Sequence, residues 1–166
     1  MESIVSTSER RSKFTLAGAF LGLLGAFSAL LRRRDEQVQL RPFDLAMLGL
    51  STYRTGRLLA FERVAQPLRE PVTETVPDGS GAGEAVVATG KGWRWTLGEL
   101  VSCPVCIGTW VAAGLVYGLH LAPRPTRVFL AVMSSTGVAQ ILNEATETLA
   151  WTGRAARKQS APIRGV

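Results

Sequence analysis

Eighteen consecutive residues without a charge, Phe14 to Leu31, constrain this chain more than any other feature. As a helix rising 1.5 Å per residue they cover about 27 Å, close to the hydrocarbon thickness of a bilayer. Arg10, Arg11 and Lys13 precede the run and Arg32-Arg33-Arg34 follows it at once. A cleaved signal peptide is the rival reading, with Ala26-Phe27-Ser28 as a loose cleavage site. Positive charge directly after the apolar run argues against it, so an uncleaved transmembrane helix is expected.

Three further blocks have the same character. Pro42 to Phe61 opens with Pro42 and Asp44, both suited to a helix start, and carries Arg54 and Arg57 on one face of its second half. Thr96-Leu97-Gly98-Glu99 has the form of a capping box, which predicts a helix beginning at Thr96. Pro104 then kinks or restarts that helix, and Val105 to Ala122 forms the third span. Pro123-Arg124-Pro125 reads as a tight connector, and Arg127 to about Trp151 as the fourth span. The expected fold is all-α: a polytopic bundle of about four transmembrane helices. Its parts are an N-tail (1–13), an N-terminal helix and loop (14–41), a three-helix core (42–151) and a basic C-tail (152–166) expected to lack structure. Residues 62–96, with three prolines and the run Pro77-Asp78-Gly79-Ser80-Gly81-Ala82-Gly83, read as a flexible loop between helices 2 and 3.

The net charge of +6 and pI near 10.1 raise the question of nucleic acid. The basic residues flank the apolar blocks instead of clustering with aromatics on a soluble face, so they point to anionic lipid headgroups. With four spans, both termini lie on one side. That side holds Arg10, Arg11, Lys13, Arg63, Arg69, Lys91, Arg94 and the C-terminal basic residues. The other side holds Arg32, Arg33, Arg34, Arg41, Arg124 and Arg127. The excess places both termini in the cytoplasm of a multi-pass cell-membrane protein, with the Arg32–Arg34 triplet opposing.

The most specific string is LGELVSCPVCIGTW, Leu97 to Trp110. Together with Tyr53-Arg54-Thr55-Gly56-Arg57-Leu58 and Pro67-Leu68-Arg69-Glu70 it resembles a bacterial membrane family known as domain of unknown function 1360. The family's R-x-x-R-L, P-x-R and L-G-E-L-x-S-C-P-x-C-x-G-x-W patterns are matched position by position, and Glu62 fills the place of an acidic residue after the first. The resemblance covers about Phe43 to Trp151 and leaves the first helix outside. It implies a membrane protein and no established activity.

Cys103 and Cys106 admit several chemistries. A helix N-terminus favours a thiolate, which suits redox work. Cys-Pro-x-Cys also resembles half of a zinc knuckle, with Glu99 nearby as a further donor. His120, 14 residues past Cys106 and about 21 Å along the helix, is out of reach. Zinc or an iron–sulfur cluster therefore requires ligands from a second copy or a partner. Palmitoylation of a juxtamembrane cysteine is a third reading. Beside these stands simple packing.

Arg54, Arg57, Arg69 and Glu62 form a second candidate set, for an anion or lipid headgroup, or as ion pairs such as Arg54 or Arg57 with Glu99. Glu144 and Glu147 read as a solvated helix end. No Ser/His/Asp set, Walker loop or dinucleotide fingerprint occurs. The leading expectation is a non-enzymatic scaffold or partner-binding membrane protein, with the bilayer and a homo-oligomer or protein as partners. The alternatives are a thiol- or metal-dependent protein, and a protein that handles anions or lipid headgroups.

Overall fold

The computed structural model describes residues 7–33, 40–79 and 83–160. Four long helices dominate: α1 (Thr7–Arg33), α2 (Pro42–Phe61), α5 (Pro104–Leu121) and α6 (Pro123–Ser160). Between α2 and α5 lie a 3-10 turn (Arg63–Ala65), α3 (Gln66–Arg69), strands β1 (Thr73–Pro77) and β2 (Glu84–Ala88), and α4 (Trp93–Ser102).

Long-range contacts fix the directions. Phe20 packs on Trp110, and Phe27 on Tyr117 and His120, so α1 runs parallel to α5. Gly56 of α2 approaches Pro104, and Thr52 approaches Gly108, so α2 runs antiparallel to α5. Gly137 lies against Leu50 and Arg54, while Arg57 meets Glu144, so α6 follows α2. The helices thus alternate in direction along the chain. Leu48, Leu115 and Leu130 form the core where α2, α5 and α6 meet, and Ser51, fully buried beside them, donates to the carbonyl of Leu130 at 3.1 Å. Burying a hydroxyl is tolerable because that bond is made.

Outside this small core the long helices are apolar on their exposed faces: Phe14, Leu21, Phe43, Val105, Val128 and Val132 all lie open. Such a surface suits lipid and is costly in water. Among the described residues, three helices are long and apolar enough to cross a membrane: Arg10–Arg33, Pro104–Leu121 and Pro123–Arg154. α2 falls outside this set, since every 18-residue stretch of it contains Asp44, Arg54 and Arg57. The expectation of four spans is met in length and composition by three.

Four other expectations are corrected. The fold is mostly helical but not all-α, because the segment expected as a flexible loop contains an antiparallel hairpin, Thr73 pairing with Ala88 through to Pro77 with Glu84. Its β-branched residues, Thr73, Thr75, Val76, Val86 and Val87, favour strands, and Thr89 N–H closes the hairpin on Val72 O at 2.9 Å. Residues 80–82 of that loop lie outside the described residues. α4 starts at Trp93, and Thr96 is no cap: its hydroxyl donates to Gly92 O at 3.0 Å. Gly92 supplies the turn, with φ at 59°, where a side chain would be strained. The tail expected to be unstructured from Gly153 instead continues α6 to Ser160 through the helix formers Ala155, Ala156 and Arg157; residues 161–166 lie outside the described residues.

Candidate functional site

At the junction of α4 and α5, α4 ends at Ser102 and Pro104 opens α5, since a proline at the first helical position loses no hydrogen bond. Cys103 between them is extended and caps α5, its Sγ accepting the N–H of Cys106 at 3.3 Å. The two cysteines are joined as a disulfide, with Cα atoms 5.2 Å apart. Cys106 is exposed and Cys103 half-buried. Both line a cavity of about 460 Å³ together with Lys13, Thr96, Glu99 and Ser102.

Glu99 shares that cavity with both cysteines, and its carboxylate is engaged by a cation. Lys13 of α1 holds it, Nζ to Oε2 at 2.8 Å, tying the start of the first helix to α4. Among the described residues no group of three or more His, Cys, Asp or Glu could hold an ion. Two sulfurs bonded to each other do not make a zinc or iron–sulfur site, which takes four ligands. The residues of one chain therefore do not fit such a centre.

The arginine set is brought together at the same end of the bundle, each member with its own partner. Arg54 donates to Glu62, just past the end of α2. Arg57 meets Glu144 of α6 at 3.4 Å and lies over the rings of Tyr53 and Phe61. Arg69 is only 3% exposed. Its guanidinium donates to Leu59 O and Phe61 O at 3.3 Å, carbonyls at the open C-terminus of α2, and to Glu62 O at 2.7 Å, which also accepts the Ala65 N–H. The expected pairing of Arg54 or Arg57 with Glu99 is corrected: Glu99 belongs to Lys13, and Glu144, expected at a solvated end, serves Arg57. Sequence reasoning missed Lys13 and Glu144 because their partners are distant in the chain and no local pattern marks them.

The glycines inside the motifs are close-approach positions. A Cβ on Gly56 would lie 2.7 Å from Pro104 O, and one on Gly98 2.7 Å from Ala88 Cβ. Gly56 thus lets α2 touch the start of α5, and Gly98 seats α4 on the hairpin.

Residues 47–146 match the family described as "Protein of unknown function (DUF1360)". The chain belongs to that family. The matched segment starts within α2 and ends within α6, so α1 lies outside it. Among curated proteins, "Sporulation protein YjcA" of Bacillus subtilis (strain 168) is 30% identical over 101 residues, which is 59% of this chain and 86% of that protein. No solved structure matches. In this DUF1360 chain the R-x-x-R-L arginines, the P-x-R arginine and the Cys-Pro-x-Cys pair all fall within the matched segment.

Proposed function

We propose that this protein is a non-enzymatic, partner-binding scaffold of the cell membrane, crossing it four times with both termini in the cytoplasm. One observation carries the reading: the motif residues are spent on joining elements together. Arg69 closes α2, Arg54 binds Glu62, Glu99 binds Lys13, and Gly56 and Gly98 allow backbones to meet. Side chains committed in this way build a rigid support.

α2 enters as the fourth crossing on two grounds. It alternates in direction with α1, α5 and α6, and its charges arrive compensated: Asp44 accepts the Arg41 N–H at 3.2 Å, Arg54 has Glu62, and Arg57 has Glu144. Paired charges near a helix end are tolerated in a bilayer far better than lone ones. The excess of basic residues on the side of the hairpin supports its cytoplasmic placement. The partners are then the bilayer and a protein meeting the exposed strand face of Glu74 and Val87, which stand opposite each other in the register. The relative's name connects that protein with sporulation, and the same setting is proposed here.

A photo-crosslinker placed at Val87 in the full chain, in its native membrane, tests this. A discrete adduct that Glu74→Arg abolishes without changing protein abundance is expected. Absence of any adduct at Val87 and at Glu74 would remove the scaffold reading.

A further inference from the structure

We propose that Cys103 and Cys106 form a redox couple that exchanges two electrons with external thiols, Cys106 being the sulfur attacked and Cys103 the sulfur that leaves. The inference is independent of the scaffold reading.

Placement argues first. The bond spans three residues, and a ring that short removes little entropy from the unfolded chain, so the disulfide is a poor staple. It is also outside the buried core of Leu48, Leu115 and Leu130. Instead it borders the cavity between α1 and α4, with Cys106 open to an incoming group.

Electrostatics then distinguish the sulfurs. Cys103 is the N-cap of an 18-residue helix and its Sγ already accepts the Cys106 N–H. That N–H bond and the helix dipole stabilise negative charge on Cys103 Sγ, which makes Cys103 the better leaving group. Pro104 fixes the first helical φ, so the cap keeps its form when the bond opens. Lys13, at 2.8 Å from Glu99, offsets the one carboxylate lining the cavity that would repel an arriving thiolate.

The exchange balances as follows. An external thiolate attacks Cys106 Sγ, the Cys103–Cys106 bond breaks, and its electron pair leaves on Cys103 Sγ. A second external thiolate attacks the external sulfur of the mixed disulfide and releases Cys106 as a thiolate, which takes a proton from water. Cys103 Sγ likewise takes a proton from water, replacing the two that the external thiols gave up on ionising, so two external thiols become one disulfide and the pair becomes a dithiol. The reverse sequence with an external disulfide closes the pair again.

The test uses the full-length protein in native membranes with glutathione as the probe. Oxidised protein is exposed to reduced glutathione, the reaction is quenched with acid, and the mixed disulfide is mapped by peptide mass. Reduced protein is separately exposed to glutathione disulfide and its intact mass read. The proposal expects the trapped adduct on Cys106. It expects wild type to re-form the internal bond and carry no glutathionyl group, and Cys103→Ser to retain one. An adduct on Cys103, two glutathionyl groups held by wild type, or a bond reducible only after unfolding would overturn it.

Discussion

Arg69 turns its guanidinium back onto the carbonyl of Glu62, 2.7 Å away, and so closes the helix that ends eight residues before it. The same side chain reaches Leu59 and Phe61, which makes it the common partner of the last turn of α2. Burying an arginine this deeply is offset by the Leu59 and Phe61 carbonyls at the open end of α2 and by the Glu62 carbonyl, which it shares with the Ala65 N–H.

Removing that cap should therefore be costly. Arg69→Ala is expected to lower stability by about 2–3 kcal/mol, the range for a charge-assisted hydrogen-bond group, with Arg69→Lys recovering part of it. Thermal unfolding of the purified protein in detergent, followed by tryptophan fluorescence, measures both.

The two ion pairs of α2 should differ. Arg54 is 18% exposed at its side chain and Arg57 38%, so the first is shielded more from solvent. Arg54→Leu should cost about 1–3 kcal/mol and Arg57→Leu less than about 1 kcal/mol. A double-mutant cycle of Arg57 with Glu144 should return a small coupling, and the same cycle of Arg54 with Glu62 a larger one.

The glycines give a steric prediction. A methyl group at Gly98 would press on Ala88, whereas one at Gly18 meets open space. Gly98→Ala should destabilise by about 1–3 kcal/mol through overpacking, and Gly18→Ala should leave the melting temperature unchanged or slightly raised. Equal effects at the two positions would contradict the seating of α4 on the hairpin.

Local signals were legible in the sequence. Pro42, Asp44 and the apolar run gave α2 its bounds, Pro42 to Phe61, and Pro104 marked the handover from α4 to α5. Spacing alone put Cys103 and Cys106 within reach of each other. Three things lay beyond local reading. Proline and glycine between residues 67 and 83 obscured two five-residue strands whose alternation is weak. The T-x-x-E string pointed to a cap that the turn at Gly92 makes unnecessary. The partners of Arg57 and Glu99 come from α6 and α1, and pairing across such separations is decided by packing, which no short pattern encodes.

All four long helices are proposed to cross the membrane in alternation, α2 included. Labelling of single cysteines tests this most directly, in a chain carrying Cys103→Ser and Cys106→Ser, with a membrane-impermeant maleimide on intact cells. Gln37→Cys and Arg124→Cys are expected to react from outside, while Gly79→Cys and Ser160→Cys react only after permeabilisation. Gln37→Cys and Gly79→Cys reacting from the same side would mean that α2 does not cross, and would overturn the four-span arrangement.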